Sequence, residues 1–404
     1  MIPATVPRSV PFVVTHVITR LIVGGAQENT VSTVLGLQSR PEFRANLLSG
    51  PTTGPEGSIE RTFDSKPELL RIVPSLVRPV SPFRDFQAVF DLRREFRRSQ
   101  PAIVHTHSGK AGIIGRWAAH LERVPIIVHG IHGPSFGPWQ GAVSNAIFRT
   151  AERQTGPITT HFIAVANAMI EQYLAAGIGS SANYTRIFSG FDLAPFLGAK
   201  NDPDFRARLG IAADDLVIGK IARLFQLKGH DDLFIIAPDL VRRFPNARFL
   251  LVGGGAWEDR FRKLAASLGL ERNFIFTGLV PPSQIPALTG IMDLLVHVSL
   301  REGLARALPQ AMAAGKPVVA YACDGAGEVC LDGQTGFLVP VRDRQALLRS
   351  LVRLLGDSGL RSRFGWNGSE FVRERFQVER MVEETGQLYL KLLRDHRIQT
   401  APGS

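Results

Sequence analysis

Short β-branched and apolar runs alternate with longer amphipathic segments along the chain, and this alternation restricts the fold more than any other feature. In the first half the spacing predicts strands at 12–18, 103–105, 126–129 and 162–165. In the second half it predicts them at 217–221, 249–252, 274–276, 294–298, 318–321 and 337–339. Helical periodicity fills the intervals, as at 26–37, 233–244 and 262–268. Strands alternating with helices predict an α/β fold with parallel sheets covered on both faces. The pattern restarts near residue 215, after a Gly-, Pro-, Ala- and Asp-rich stretch at 190–215. Two doubly wound domains are therefore expected, at 1–195 and 196–376. A last helix at 378–393 has no strand after it, so residues 377–404 are expected to pack back on the N-terminal domain.

Charge narrows the function less than its size suggests. The 404 residues carry a net charge of +11, with 39 Arg and only 8 Lys. The excess is spread, +6 in residues 1–195 and +5 in 196–404, with no basic tail. A nucleic-acid partner would need a concentrated basic face with stacking aromatics, and four Trp and four Tyr do not supply one. Two cysteines, Cys323 and Cys330, cannot build a disulfide framework and fit a reducing compartment. The N-terminal Met1–Arg8 stretch does not read as a signal peptide. Apolar runs stop well short of the ~20 residues of a spanning helix. The expectation is a cytoplasmic protein, with any membrane contact peripheral.

In doubly wound sheets ligands gather at the carboxyl ends of strands. The first strand ends in Val23-Gly24-Gly25-Ala26, where paired glycines let a backbone approach a ligand. No G-x-G-x-x-G fingerprint follows, which argues against a nicotinamide oxidoreductase. His105-Thr106-His107 closes the next strand. Without a Cys or carboxylate beside them these histidines read as strand-end packing, and no metal site is expected. Val128-His129-Gly130-Ile131-His132-Gly133 closes the third, placing imidazoles where a substrate would meet them.

The second half is richer. The strand at 217–221 runs into Ala222-Arg223-Leu224 and then Lys228-Gly229-His230, two cations suited to a leaving diphosphate. Glycines 253–255 follow the next strand, and Phe276-Thr277-Gly278-Leu279-Val280 offers a backbone surface for a base. Most informative is Ser299-Leu300-Arg301-Glu302-Gly303-Leu304-Ala305, in which Glu302 ends a strand and Gly303 is expected to open a helix. Gln310 would then lie about 12 Å further along that helix axis. The amides of Gly303, Leu304 and Ala305 would be available to a phosphate or sugar oxygen.

These segments together resemble glycosyltransferase family 4, the retaining transferases of the GT-B fold. The resemblance runs from Gly24-Gly25 to about Phe376. It rests on Glu302-Gly303-Leu304 with the Ala-Met-Ala-x-Gly-x-Pro-Val-Val run, on Arg223-Leu224 through Lys228-Gly229, and on His132-Gly133. Two positions depart from the family pattern. Gln310 stands where a second Glu contacts the nucleotide ribose, and Asp324-Gly325 replaces a Gly-Gly pair. The resemblance implies two Rossmann-like domains facing across a deep cleft, with the C-terminal helix crossing back. It implies a hexose-type sugar moved from a nucleotide diphosphate sugar to a hydroxyl of a glycan or lipid-linked acceptor, with retention, in cell-surface polysaccharide or glycolipid synthesis. Neither a cofactor nor a metal is required. Arg223 and Lys228 would neutralise the diphosphate, Glu302 would hold the donor sugar, and His132 would position it or share a proton. Gly24 and Gly25 would approach the phosphates; Gly253, Gly254, Thr277, Gly278, Val280, Gly303, Leu304, Ala305 and Gln310 would bind the donor. Alternatives on the same fold are a nucleotide-sugar epimerase, a phosphorylase or a non-catalytic partner subunit.

Residues 71–98 carry seven Arg against three acids, a net +4, with Phe83, Phe86, Phe90 and Phe96 on one half of a helical wheel. The favoured reading packs this Phe face on the N-terminal sheet. The alternative lays it on an anionic bilayer.

Overall fold

The computed structural model describes residues 10–54 and 57–398, so the Met1–Arg8 stretch lies outside the described residues. The chain divides into two compact units, Met1–Phe191 with Val378–Ser404, and Asp192–Gln377. The first holds seven parallel strands: β1 (Phe12–Ile18), β2 (Phe43–Ser49), β3 (Leu70–Ile72), β4 (Ile103–His107), β5 (Ile126–Ile131), β6 (His161–Ala164) and β7 (Tyr184–Arg186). Their order is β3-β2-β1-β4-β5-β6-β7. The second holds β8 (Leu216–Ile221), β9 (Ala247–Val252), β10 (Phe274–Phe276), β11 (Leu294–His297), β12 (Val318–Tyr321) and β13 (Gly336–Val339). They are ordered β10-β9-β8-β11-β12-β13. In both sheets the order reverses beside the unit's first strand, at β1/β4 and at β8/β11. Doubly wound sheets place their ligand crevice at such a reversal.

Nearly continuous apolar runs explain why the central strands are covered on both faces. One face of the first sheet packs Val14 and Ile18 against Val34 and Leu37 of the helix Gly25–Leu37, and against Tyr389 and Leu393 of the helix Val378–Asp395. The other packs Val17 and Val104 against Leu92 and Phe96 of the helix Pro82–Ser99 and Ala118 of the helix Gly109–Leu121. The second unit stacks Phe234 on Phe274 and Phe274 on Phe249, with centroids 4.1 and 4.5 Å apart. Each such buried ring contributes roughly 1.5–3 kcal/mol.

Two expectations change. Phe96 is buried, but Phe83, Phe86 and Phe90 are 81, 67 and 45% exposed. Three of the four rings therefore do not pack on the sheet: the helix turns Ala88, Leu92 and Phe96 inward instead. The helix after Glu302 starts at Ala307, not Gly303, and ends at Ala313. Residues 303–306 form a loop. Cys330 is buried and Cys323 half-buried. Among the described residues no helix is long and apolar enough to cross a membrane.

Candidate active site

Main-chain bonds stitch the strand-end loops of the second unit together. Leu224 N donates to Gly254 O at 3.0 Å and Trp257 N to Leu224 O at 3.0 Å. Gly253 N donates to Gly278 O at 3.2 Å, Leu300 N to Leu227 O at 2.8 Å, and Gly325 N to Gly303 O at 3.1 Å. Loops from β8, β9, β10, β11 and β12 thus form one continuous rim. Gly229 is needed there: its φ is +69°, and a Cβ would sit 1.7 Å from the Val298 carbonyl oxygen. Leu227, two residues earlier, holds a left-handed φ of +70° despite its side chain, backbone strain of the kind that collects at functional loops.

Within this rim Lys228 Nζ donates to Glu302 Oε1 at 2.5 Å, both side chains one-fifth exposed. His297 Nε2 lies 3.6 Å from the same oxygen. Burial alone would raise the Glu302 carboxyl, but the Lys228 charge and then His297 outweigh it and hold the group well below the usual carboxylate range. Asp324 Oδ2 accepts the Glu302 amide at 2.7 Å, from a backbone with φ +48°. The Asp at the position of the usual glycine therefore anchors the Glu302 loop through its main chain.

Sequence reasoning missed three buried groups beside this pair. Lys220, in β8, is fully buried and its Nζ has no hydrogen-bond partner. Burial lowers its amine to about 7, and Lys228 adds to the shift. His230 and His297 are 1 and 4% exposed, both lowered by burial. A lysine inside the apolar run Val-Ile-Gly-Lys-Ile was the available signal.

The remaining predicted residues are placed as follows. Arg223 is exposed at the end of β8, its guanidinium 5.8 Å from the Phe225 ring centre. Thr277 Oγ1 donates to Gly278 O at 2.9 Å, and Val280 is half-buried in the same loop. Leu304 and Ala305 are buried, and Gln310 is half-buried in the helix Ala307–Ala313.

His132, Gly24 and Gly25 belong to the first unit. Gly24 precedes the helix Gly25–Leu37 with extended backbone, φ 175°. His132 follows β5, half-buried, and burial lowers its imidazole to about 4. Close by, Arg116 and Glu152 form a fully buried pair at 2.6 Å, and Glu152 also accepts from Ser135.

Two doubly wound sheets, each with buried polar groups at its strand-order reversal, define the GT-B architecture. Solved structures agree on the fold. HepE from Anabaena, crystallised with UDP, is 22% identical, with a TM-score of 0.77 over 94% of this chain and 100% of that one. Sucrose-phosphate synthase from Thermosynechococcus elongatus is 20% identical, with a TM-score of 0.80 over 95% of this chain and 100% of that one. Residues 24–187 match the glycosyl transferase 4-like domain, and 201–371 match glycosyl transferases group 1. An Escherichia coli UDP-Gal:alpha-D-GlcNAc-diphosphoundecaprenol alpha-1,3-galactosyltransferase is 26% identical over 87% of this chain and 90% of its own length. A GDP-mannose-dependent phosphatidylinositol monomannoside mannosyltransferase from Mycolicibacterium smegmatis is 30% identical over 62% of this chain and 66% of its own. The chain belongs to the GT-B glycosyltransferases of the family-4 type.

Proposed function

We propose that this glycosyltransferase moves a hexose-type sugar from a nucleotide diphosphate sugar to a hydroxyl of a glycan or lipid-linked acceptor, with retention at the anomeric carbon. One observation carries the reading: the Lys228–Glu302 pair, set among glycine-rich strand-end loops. Such a pair offers a cation to a diphosphate and a carboxylate to the sugar from one rim. Lys228 and Arg223 offset the charge that grows on the leaving diphosphate, the task a divalent metal fills elsewhere. Glu302, held ionised, accepts from sugar hydroxyls and faces the positive charge developing at the anomeric carbon. Relatives named for UDP-Gal with GlcNAc-diphosphoundecaprenol and for GDP-mannose with phosphatidylinositol monomannoside support the donor and acceptor classes.

Thermal shift against UDP-, GDP- and ADP-sugars selects the donor, since a bound ligand stabilises the fold by its affinity. NMR of the anomeric proton of the transferred sugar then reads the stereochemistry. Retention, with turnover that persists in EDTA, is the expected result; inversion or EDTA-abolished turnover overturns that part of the reading.

The exposed Phe83, Phe86 and Phe90 recur at helical spacing, with Arg84, Arg94, Arg97 and Arg98 exposed on the same helix. Apolar rings among cations suit an anionic bilayer surface, where a lipid-linked acceptor would reside. The triple change of these phenylalanines to Ser should abolish co-sedimentation with anionic vesicles and spare turnover of a water-soluble acceptor. Binding to neutral vesicles alone, or dimerisation lost in the triple variant, would instead assign the face to another occupant.

A further inference from the structure

Beneath His132 lies a chain of imidazoles. His16 Nδ1 is 2.9 Å from His107 Nε2, and His107 Nδ1 is 2.9 Å from His132 Nε2. The first two rings are nearly parallel, 8° apart, and the last two are 30° apart. Gly130 makes room for them. A Cβ there would stand 2.9 Å from His107 Nδ1, 3.0 Å from His105 Nε2 and 3.2 Å from His132 Nε2. Nitrogens of His16, His105 and His107 also come within 4.8 Å of one another, as metal ligands would. Among the described residues no carboxylate or thiolate joins that group, and the nitrogens of His107 are already bonded to its neighbours, so the hydrogen-bonded chain is the better account.

A neutral imidazole has one N–H and one lone pair, so the protons along such a chain must all point the same way. Pointing inward, His132 Nε2–H donates to His107, His107 donates to His16, and a buried N–H is left at His16 Nε2. That nitrogen is buried and has no partner. Pointing outward, His16 Nδ1–H donates to His107 Nε2 and His107 Nδ1–H donates to His132 Nε2. The inner end then keeps only an unused lone pair. Orphaned buried donors are the rarer defect, so the outward polarity is favoured. Neutrality is secured separately: burial lowers His16 to about 3 and His132 to about 4, and lowers His107 well below its ordinary value.

We infer that His16 and His107 are positioning residues that fix His132 as its Nδ1–H tautomer, so that His132 meets substrate as a hydrogen-bond donor and not as a proton acceptor. What the donor meets rests on the glycosyl-transfer reading above; the tautomer does not. With Nε2 occupied by His107, His132 presents only Nδ1–H, suited to a phosphate or sugar oxygen.

The test is histidine-15N-labelled protein in long-range 15N–1H spectra at pH 7.5, with signals assigned through His132→Asn. Wild type should show His132 protonated at Nδ1 alone. In His107→Leu the signal should move to the Nε2–H form or a mixture, with kcat down about tenfold or more and KM little changed. His107→Gln, whose amide can accept at one end and donate at the other, should restore both. Nε2–H or imidazolium at His132 in wild type overturns the inference, as does a tautomer unmoved in His107→Leu. If His107→Leu fails to fold, the wild-type spectrum still decides. An Nδ1–H His132 in a protein that turns over no sugar donor would leave the chain standing and sink only the reading it serves.

Discussion

At the β1/β4 reversal of the first unit the buried polar groups are imidazoles, His16, His105 and His107, all held neutral by burial. At the β8/β11 reversal of the second they are Lys220 and His297, next to the Lys228–Glu302 ion pair. The same topological place thus carries hydrogen-bond polarity in one sheet and ionised groups in the other. A diphosphate needs cations that stay charged, and the second unit supplies them at its rim. A neutral donor needs a fixed proton position, and the first unit supplies that through a chain.

Acid should break this comparison most forcefully. Each buried histidine has a folded pKa depressed below its unfolded value near 6.5. The unfolded state then binds the proton first, so stability is intact above 6.5 and is lost as pH falls from 6.5 toward the depressed folded values. At pH 5 that is about 2 kcal/mol for a group whose folded value lies near 3 or 4, as for His16, His132 and His161 of the first unit, and burial shifts His105, His107 and His129 in the same direction. Among the described residues the second unit has two histidines shifted this way, His230 and His297, against six in the first. Its Glu302, depressed as a carboxylate, keeps its contribution at pH 5 and loses it only as pH falls below the unfolded value of about 4.5. Hydrogen exchange at pH 5 and 7.5, corrected for intrinsic rates, should show protection lost first in 10–191. Equal loss in both units would break the contrast.

Substitutions sharpen it next. Glu302→Gln and Lys228→Met keep shape and remove charge, and each should lower kcat/KM about a hundredfold or more, as should Arg223→Ala. His132→Asn keeps a donor near the Nδ1 position and should cost only about tenfold. Circular dichroism confirms that the variants fold. A mild Glu302→Gln beside a severe His132→Asn would reverse the assignment of charge to one unit and polarity to the other.

Much of the fold was legible because strands are largely apolar runs: the inner strands β1 and β12 and the edge strand β10, Phe-Ile-Phe, match their predicted limits. Three strands escaped notice for a common reason. In β2, Arg44 and Asn46 break the apolar run, and in the three-residue edge strands β3 (Leu-Arg-Ile) and β7 (Tyr-Thr-Arg) polar residues break it likewise. Within the site, Lys228 and Glu302 were legible as motifs at strand ends. Lys220 and His297 were not, since only the pairing of β8 with β11 brings them together. The imidazole chain was hidden likewise, because His16 and His107 stand 91 residues apart. The exposed Phe83, Phe86 and Phe90 mark a limit of periodicity: an amphipathic pattern does not say which face turns inward.

The smallest expected effect concerns Gln310, where the resemblance places a carboxylate against the nucleotide ribose. The amide can bond ribose hydroxyls, but a carboxylate accepting from them forms bonds roughly twice as strong. Gln310→Glu should therefore tighten nucleotide binding by about 1 kcal/mol, near fivefold in Kd, with kcat unchanged. Gln310 is half-buried on a short helix, so the added charge carries only a modest desolvation cost. Calorimetric titration with nucleoside diphosphate reads the affinity, and turnover at saturating donor reads kcat. Tighter binding would extend the second unit's reliance on charge from the phosphates to the ribose. Weaker binding would mean that an added anion is felt first by the diphosphate, and that the neutral residue keeps a negative charge away from it.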